Sequence, residues 1–351
     1  MSEGPRLSVV VPAHDAASYI ARTLEALAAS DIPRDEWELI VVDDASADET
    51  PNAGPRFADR VISTGDMPRG PAHARNAGAA IAKSPIIAFI DADVVVKPDA
   101  LSRMLARLDE REDRVAVFGA YDDNPDDPAL ASTYRNLLHH YTHVRTAGEV
   151  TTFWAGCGAV RAEAFRNAGG FDEKRFGRPQ IEDIELGYRL RKRGTILLDP
   201  SIQGKHLKRW SAISMMRTDF NDRALPWTRL LLATRNEKGA NPSLGTRAFA
   251  ATAFAGLTLV FALLAALLRQ PLLLIAAGLS VAVVIALNAA FYAWLWSRGG
   301  WRLVSIAIPL HYGYHLLSAA AVPVAAAQFL MFDSAGDSPS GGPGGDAGDS
   351  R

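Results

Sequence analysis

The chain has 351 residues and a formal net charge of −2, and its length allows two domains. The single cysteine, Cys157, excludes an intrachain disulfide and a zinc site built from thiolates. Charge is unevenly distributed, because eleven Lys and Arg residues stand against three acidic residues between positions 187 and 235. This basic excess lies beside apolar sequence. It therefore favours an anionic bilayer surface or a phosphorylated substrate over nucleic acid, since no nucleic-acid-binding motif accompanies it.

Strands and helices alternate through the first part of the chain. The apolar patterns predict strands at 7–11, 37–42, 60–63, 85–90 and 115–119, and helices at 17–29, 70–83, 98–108, 130–144 and 181–193. This alternation predicts βαβ units around a mainly parallel sheet, with ligands beyond the carboxyl ends of the strands. Pro12, Asp44 and Asp91 fall at such ends. No G-x-G-x-x-G motif follows the first strand, which disfavours an NAD-binding fold.

Two aspartates follow the apolar strand at 86–90, with only Ala92 between them. Carboxylates at positions i and i+2 of an extended chain point to the same side, so Asp91 and Asp93 can converge on one ligand. Carboxylate oxygens suit Mg²⁺ or Mn²⁺, which proteins often hold together with substrate phosphates. An exposed turn can also contain such a pair, but the preceding buried strand favours a site for a metal ion and a nucleotide.

Three nearly uncharged stretches, near 248–268, 272–296 and 303–331, are predicted to cross a membrane. Each supplies the ~20 residues that a bilayer requires, and three in succession exceed what a buried soluble helix bundle needs. The connection with Arg298 and Arg302 is the more basic one and is expected in the cytoplasm. Residues 1–247, which begin without an apolar signal region, are then cytoplasmic, and the C-terminus lies outside.

Two further segments adjoin these spans. Residues 211–247 mix Arg with Met, Phe, Trp and Leu, and they are predicted to form an interfacial amphipathic segment that meets membrane lipids. Residues 333–351 are rich in Gly, Ser and Asp and are predicted to form a disordered tail.

The order of several motifs resembles the family-2 inverting glycosyltransferases of the GT-A fold. The matching segments are LSVVVPAHD (7–15), ELIVVDDASADET (38–50), ARNAG (74–78), DAD (91–93), GGFDE (169–173), IEDIELGYRL (181–190) and HLKRW (206–210). The resemblance covers about residues 7–210. It implies an α/β GT-A domain with a Rossmann-like mixed sheet over residues 1–210, followed by an all-α transmembrane region.

The resemblance also implies a site for a nucleotide-sugar donor and for Mg²⁺ or Mn²⁺. Asp44 would hydrogen-bond the base of a UDP- or GDP-linked donor, and His14 would stack on it. The implied donor-binding residues are Pro12, His14, Asp44, Arg75, Asp91 and Asp93, and the implied metal ligands are Asp91, Asp93 and His206.

Plainer alternatives stand beside these roles. The turn after Asp44 can be a helix cap, as fits Ser46 and Asp48. His14 can be a turn histidine, Arg75 an exposed helix arginine and His206 a solvated side chain.

Glu182 and Asp183 open a predicted helix and are the implied catalytic pair. The family assigns the general base to the aspartate, here Asp183, which would take a proton from the acceptor hydroxyl. Glu182 fits a carboxylate that stabilises the helix N-terminus. A phosphate acceptor would already be ionised and would need no base. The implied acceptor-binding residues are Trp154, Gly156, Cys157, Arg209 and Trp210.

The predicted function is transfer of one sugar, with inversion, from a nucleotide donor to a lipid-linked or glycan acceptor in envelope or exopolysaccharide synthesis. A processive polysaccharide synthase is an alternative, although His206 stands where such enzymes have Gln. A non-catalytic membrane scaffold of the same fold is a second alternative, but Asp93 and Asp183 are both present. A nucleotidyltransferase also uses paired aspartates, but it gives no role to the helix of Asp183 or to HLKRW.

Overall fold

The computed structural model describes residues 4–234 and 245–333. Nine strands in these ranges form one mixed sheet. They are β1 (Leu7–Ala13), β2 (Trp37–Asp43), β3 (Arg60–Ser63), β4 (Ile86–Ile90), β5 (Val94–Val96), β6 (Arg114–Tyr121), β7 (Gly148–Val150), β8 (Cys157–Arg161) and β9 (Thr195–His206). Their order is β3-β2-β1-β4-β8-β6-β9-β5, and β7 pairs with β9. The mixed sheet that the resemblance implied is confirmed. The mainly parallel arrangement expected from the alternation holds for β1 to β4, whereas β8 runs antiparallel to both β4 and β6.

Helices cover both faces of the sheet and continue beyond it. They are α1 (Ile20–Ala28), α2 (Thr50–Ala53), α3 (Pro71–Ile81), α4 (Ala100–Asp109), α5 (Leu130–Arg145), α6 (Ala162–Asn167), α7 (Glu182–Arg191), α8 (Ala212–Thr218), α9 (Leu225–Ala233), α10 (Thr246–Leu268), α11 (Leu272–Leu287) and α12 (Ala289–Gln328). A π-helical turn, Asp219–Ala224, joins α8 to α9.

The central strands are buried from end to end because helices lie on both sides of them. Successive side chains of β1 alternate between the two cores: Val9 and Val11 pack on the face with α1 and α4, and Val10 packs on the face with α3, α6 and α7. In α1, Ile20 and Leu24 meet this core one helical turn apart. Continuous apolar runs in the sequence therefore marked these strands correctly.

The parallel strands β1, β2 and β4 bring their carboxyl ends to one edge of the sheet, with Ala13 opposite Asp43. The loops that leave this edge are interlocked. The amide of Asp15 donates to Ser46 Oγ at 3.0 Å, and the amide of Ala47 donates to Asp15 Oδ1 at 2.8 Å. Asp15 and Ala45 both have left-handed backbones, with φ of 46° and 55°. These contacts hold two loops in a conformation that non-glycine residues rarely adopt.

The C-terminal helices differ in their bounds from the predicted spans. Among the described residues, α10 and the helix that begins at Ala289 are long and apolar enough to cross a membrane by length and composition, whereas α11 has 16 residues. The predicted span at 272–296 is interrupted at Asn288, whose side chain donates to the carbonyl of Val284 and ends α11. Between the second and third predicted spans, α12 runs on through a kink at Gly300.

The first half of α12 packs against the part of the chain that carries the sheet. Phe291, Leu295 and Leu303 share a buried cluster with Tyr134 of α5 and Trp210. Arg298 forms an ion pair with Asp123. All of the predicted disordered tail, 333–351, except its first residue lies outside the described residues, as do residues 235–244 of the predicted interfacial segment. The proposed boundaries between segments remain predictions.

Candidate active site

A cavity of ≈ 830 Å³ opens at the carboxyl edge of β1, β2 and β4. It contains all but two of the side chains predicted from the sequence. The predicted residues that line it are Pro12, His14, Asp44, Arg75, Asp91, Asp93, Trp154, Glu182, Asp183, His206, Arg209 and Trp210. The fold thus brings residues that are up to about two hundred positions apart in sequence around one space.

Asp44 lies at the end of β2 and is buried. Its carboxylate accepts hydrogen bonds from Thr64 Oγ1 at 2.6 Å and from the amide of Gly70 at 2.7 Å, and it also accepts from the amide of Arg69. Its carbonyl pairs with His14 Nδ1 at 2.8 Å. A carboxylate has about four acceptor positions, so little capacity remains for a base. Asp44 therefore also fixes the loop that leads into α3.

Arg75 is buried near the carboxylates of Asp91, Glu182 and Asp183. It donates from Nη2 to Asp91 Oδ1 at 2.7 Å and from Nη1 to Glu182 Oε1 at 2.9 Å. Although burial by itself lowers the pKa of Arg75, the surrounding carboxylates, Asp91 first, raise it above its ordinary value. Burial raises the pKa of Asp91, and Arg75 opposes that shift. Arg75 is thus an internal ion-pair partner and not an exposed helix arginine.

Asp183 and Glu182 are adjacent but differently engaged. Glu182 is buried, pairs with Arg75 and accepts from the amide of Gln180 at 2.8 Å. Asp183 is half-buried and lines the cavity, where Oδ2 accepts only a long hydrogen bond from the amide of Ala155, at 3.3 Å. Burial, and then the neighbouring charge of Glu182, raises the pKa of Asp183 to about 7. A carboxylate with this pKa can take up a proton near neutral pH.

Close packing of the α7 backbone against the segment around Phe153 fixes the position of this helix. A side chain at Gly187 would come within 2.4 Å of the amide nitrogen of Phe153. Only glycine lets α7 approach this segment so closely, and the contact sets the position of Asp183 beside Ala155.

Asp93 and His206 lie next to each other in the cavity. His206 Nε2 lies 3.4 Å from Asp93 Oδ2, and its Nδ1 pairs with Asn136 Oδ1 at 2.9 Å. The ring stacks on Tyr121, with centroids 4.4 Å apart. Because the Asn136 oxygen accepts a hydrogen bond from Nδ1–H, a neutral ring directs the lone pair of Nε2 towards Asp93. A cation or a proton between Nε2 and the carboxylate would relieve the repulsion between these two electron-pair donors.

These residues fit a divalent cation that completes its shell with phosphate oxygens and water. Asp93 and His206 provide one oxygen and one nitrogen, and one oxygen of Asp91 is engaged by Arg75. Within residues 4–234 and 245–333, no group of three or more His, Cys, Asp or Glu side chains forms a complete metal site. The geometry therefore suits a metal ion that arrives with a diphosphate.

Other matching motif residues hold loops around the cavity. The side chain of Asn76 donates to the carbonyl of Phe171 at 2.8 Å and accepts from its amide at 2.9 Å. Gly170, with φ of 67°, lies against the side chain of Asn76, and an added Cβ would come within 2.7 Å of Asn76 Oδ1. The ARNAG and GGFDE segments thus recognise each other, which is a structural role.

Two predicted acceptor residues do not reach the cavity. Cys157 is fully buried on β8, opposite Ile90, and belongs to the core. Gly156 accepts a hydrogen bond from the amide of Asp91 through its carbonyl, and a side chain there would overlap the ring of Trp154. Neither residue lines the cavity, and their predicted contacts with an acceptor stay predictions. Gly156 makes room for Trp154 and holds the backbone of Asp91.

Sequence reasoning missed one whole wall of the cavity, which α5 and the turn after α8 supply. Asn136, His139 and His143 lie three, four and seven positions apart on one face of α5. His139 and His143 line the cavity, as do Tyr121 and Arg223. This polar face, with its spacing of three and four positions on the helix predicted at 130–144, was the available signal.

The chain is similar in sequence to several known proteins. The model of glycosyl transferase family 2 matches residues 8–169. Validoxylamine A glucosyltransferase of Streptomyces hygroscopicus subsp. jinggangensis is 30% identical over 225 residues, covering 55% of this chain and 53% of that protein. The succinoglycan biosynthesis protein ExoO of Rhizobium meliloti is 41% identical over 117 residues, covering 32% of each. The chain spans about half the length of the first relative and less of the second.

A solved structure resembles nearly the whole chain. The mannosyltransferase PcManGT from Pyrobaculum calidifontis, in complex with GDP-Man and Mn²⁺, has a TM-score of 0.56 and 22% identity. The similarity covers 94% of this chain and 88% of that one. At this identity the likeness establishes the fold, and the predicted GT-A architecture is confirmed.

Proposed function

We propose that the protein is a membrane-anchored, metal-dependent, inverting glycosyltransferase of family 2, whose model matches residues 8–169. It moves one sugar from a UDP- or GDP-linked donor to a lipid-linked or glycan acceptor. The observation that carries the proposal is one cavity that joins Asp44, the Asp91–Asp93 pair and Asp183. The similarity to a succinoglycan biosynthesis protein supports a role in envelope or exopolysaccharide synthesis.

The donor binds along the carboxyl ends of β1, β2 and β4. His14, held by the carbonyl of Asp44, offers its ring to the base. The remaining acceptor capacity of Asp44 suits one N–H of uracil or guanine. Asp91 holds the ribose, and Arg75 orients that carboxylate and opposes the rise in its pKa that burial causes. These residues bind and position the nucleotide without taking part in proton transfer.

Asp93 and His206 would hold the cation, with Asn136 fixing the orientation of the imidazole. When bound, the cation supplies Lewis-acid stabilisation of the leaving nucleoside diphosphate. The complex of PcManGT with GDP-Man and Mn²⁺ supports this choice of ligand class.

Asp183 is the proposed general base. It accepts the proton of an acceptor hydroxyl as that oxygen bonds to the anomeric carbon. The bond from this carbon to the diphosphate breaks on the opposite side, which inverts the configuration. Such a base typically contributes 10²–10⁴-fold to the rate. Glu182 is a positioning residue, because Arg75 and a backbone amide occupy its carboxylate.

Membrane anchoring is supported by an unpartnered apolar surface on α10 and α11. Leu263 and Leu272 expose 60% and 71% of their surface, and many neighbouring side chains are similarly exposed. A contiguous surface of this kind in a soluble monomer is unusual. The polar side chains His311 and His315 point inward instead, towards Tyr292 and Thr252. Polar groups within a membrane span usually face the interior in this way.

The proposal is tested by a donor screen with the purified full chain in detergent. UDP- and GDP-sugars are supplied with lipid extracts and with Mn²⁺ or Mg²⁺, and labelled product is measured. Asp93→Asn should abolish transfer because it removes a metal ligand. The matched control, Asp99→Asn, changes a carboxylate that lies outside the cavity and pairs with exposed Arg103. If Asp93→Asn, or enzyme treated with EDTA, keeps wild-type turnover, the metal role is wrong.

A further inference from the structure

The cavity extends past the residues assigned above, between α5 and the π-helical turn at Asp219–Ala224. Arg223 on this turn, Trp227 on α9 and His139 on α5 line that end. Both the turn and α9 pack against α12. This end of the cavity therefore borders the apolar helix α12.

The carboxylates around Arg223 do not balance its charge. Arg135 is fully buried and binds both carboxylate oxygens of Asp219. Arg223 Nη1 lies 4.0 Å from the same carboxylate, which is beyond hydrogen-bond distance. The other acid of the turn, Asp222, faces Arg178 at 2.9 Å. Two guanidinium groups therefore share one carboxylate, and one positive charge is left over beside the cavity.

Hydrogen-bond donors at this end are also in excess. Arg223 donates to His139 Nε2 at 3.2 Å, and burial, together with the charge of Arg223, keeps the pKa of His139 well below its ordinary value. The ring is therefore neutral and accepts this hydrogen bond. A guanidinium has five N–H groups, and most of those on Arg223 remain for a ligand. The indole N–H of Trp227 is buried and has no acceptor within the described part of the chain.

We propose that Arg223 and Trp227 bind a phosphate or diphosphate group carried by the acceptor. This inference rests on the proposed function, because it requires that the acceptor enters the cavity that holds the donor. A planar guanidinium matches phosphate geometry, and an indole N–H can bond to one further oxygen. Lys208 and Arg209 line the same cavity and add positive charge. A hydroxyl elsewhere on the same acceptor then remains available to Asp183.

Calorimetry with the full chain in detergent tests the inference. Saturating UDP or GDP with Mn²⁺ fills the donor site, and three probes are titrated: geranyl diphosphate, inorganic pyrophosphate and geraniol. We expect geranyl diphosphate to bind, and Arg223→Gln to weaken it at least tenfold. Trp227→Phe keeps an aromatic ring but removes the indole N–H, and this variant should weaken binding about threefold. Arg166→Gln, an exposed arginine outside the cavity, should have no effect.

The charge count indicates that Arg223→Gln folds, because the Arg135–Asp219 pair is then balanced. Tighter binding of geranyl diphosphate than of pyrophosphate assigns the anion to a lipid headgroup, and equal binding assigns it to a soluble phosphate. Binding of geraniol equal to that of geranyl diphosphate, or unchanged affinity in both variants, overturns the inference. Loss of UDP or GDP affinity in Arg223→Gln also overturns it, because Arg223 would then serve the donor. If neither nucleotide binds the wild type, the proposed function fails, and the probes still test the anion site without nucleotide.

Discussion

Arg75 Nη1 donates to Glu182 Oε1 at 2.9 Å, and both side chains are only 6% exposed. Arg75 belongs to α3, and Glu182 is the first residue of α7. Since Nη2 of the same guanidinium bonds to Asp91, one arginine connects the strand end that carries the Asp pair to the helix that carries Asp183. The proposed metal and base positions are thereby fixed relative to each other.

Loss of this connection should destabilise the fold. Arg75→Gln leaves Glu182 buried and Asp91 partly buried without a cation, which costs about 3 kcal/mol. Thermal unfolding of the purified protein measures the change. Arg103→Gln breaks the exposed pair with Asp99 and should cost less than about 1 kcal/mol. An equal loss of stability in the two variants would show that the buried ion pairs of Arg75 stabilise the fold no more than an exposed pair does.

Activity should rise with pH through neutrality. A base must be deprotonated to act, and the pKa of Asp183 is about 7, so kcat/KM should fall below that pH. Glu182→Gln removes a neighbouring negative charge that raises this pKa. The acidic limb of the pH profile should therefore move to lower pH in this variant, and a shift to higher pH would contradict the assignment.

Asn136 should control metal affinity through His206. Asn136→Leu removes the acceptor for Nδ1 and should weaken Mn²⁺ binding about 10- to 100-fold, as loss of such partners typically does. Electron paramagnetic resonance of free Mn²⁺ measures this without turnover. Asn167→Leu, at an exposed position at the end of α6, is the control. If Asn136→Leu keeps wild-type Mn²⁺ affinity, the assignment of His206 as a metal ligand is wrong.

The ion pair of Arg298 with Asp123 supports a position for the kink of α12 on the same side of the membrane as the catalytic residues. If 303–331 then crosses the bilayer, residue 340 lies on the opposite side. In a Cys157→Ala background, a cysteine at position 340 should react with an impermeant reagent in intact cells, and one at exposed position 35 only after lysis. Protection of position 340 until lysis would show that the third span does not cross.

The parts predicted well from the sequence are those with a local signal. Continuous apolar runs marked β1, β2 and β4, and the motif order placed Asp44, Asp93 and Asp183 at one site. Strand β9 escaped prediction because Asp199 and Pro200 interrupt its apolar pattern, and its register against β6 shifts.

Long-range features had no such signal. The ion pair between Arg75 and Glu182 joins residues 107 positions apart, and Asn136 reaches His206 across 70. Cys157 follows Trp154 and Gly156, two other predicted acceptor residues, yet its side chain points into the core from β8. Spacing along the chain does not reveal the two long-range pairs, because the packing of α5 and α7 on the sheet brings their side chains together.

The most direct test of the account compares Asp183→Asn with wild type in kcat and in donor affinity, using the donor and acceptor found in the screen. We predict a loss in kcat of at least about a hundredfold, with donor affinity preserved. Glu185→Gln, in the same helical turn but paired with Arg189, is the control and should retain most activity. Wild-type turnover in Asp183→Asn, or loss of donor binding in that variant, would contradict the assignment of Asp183 as the general base.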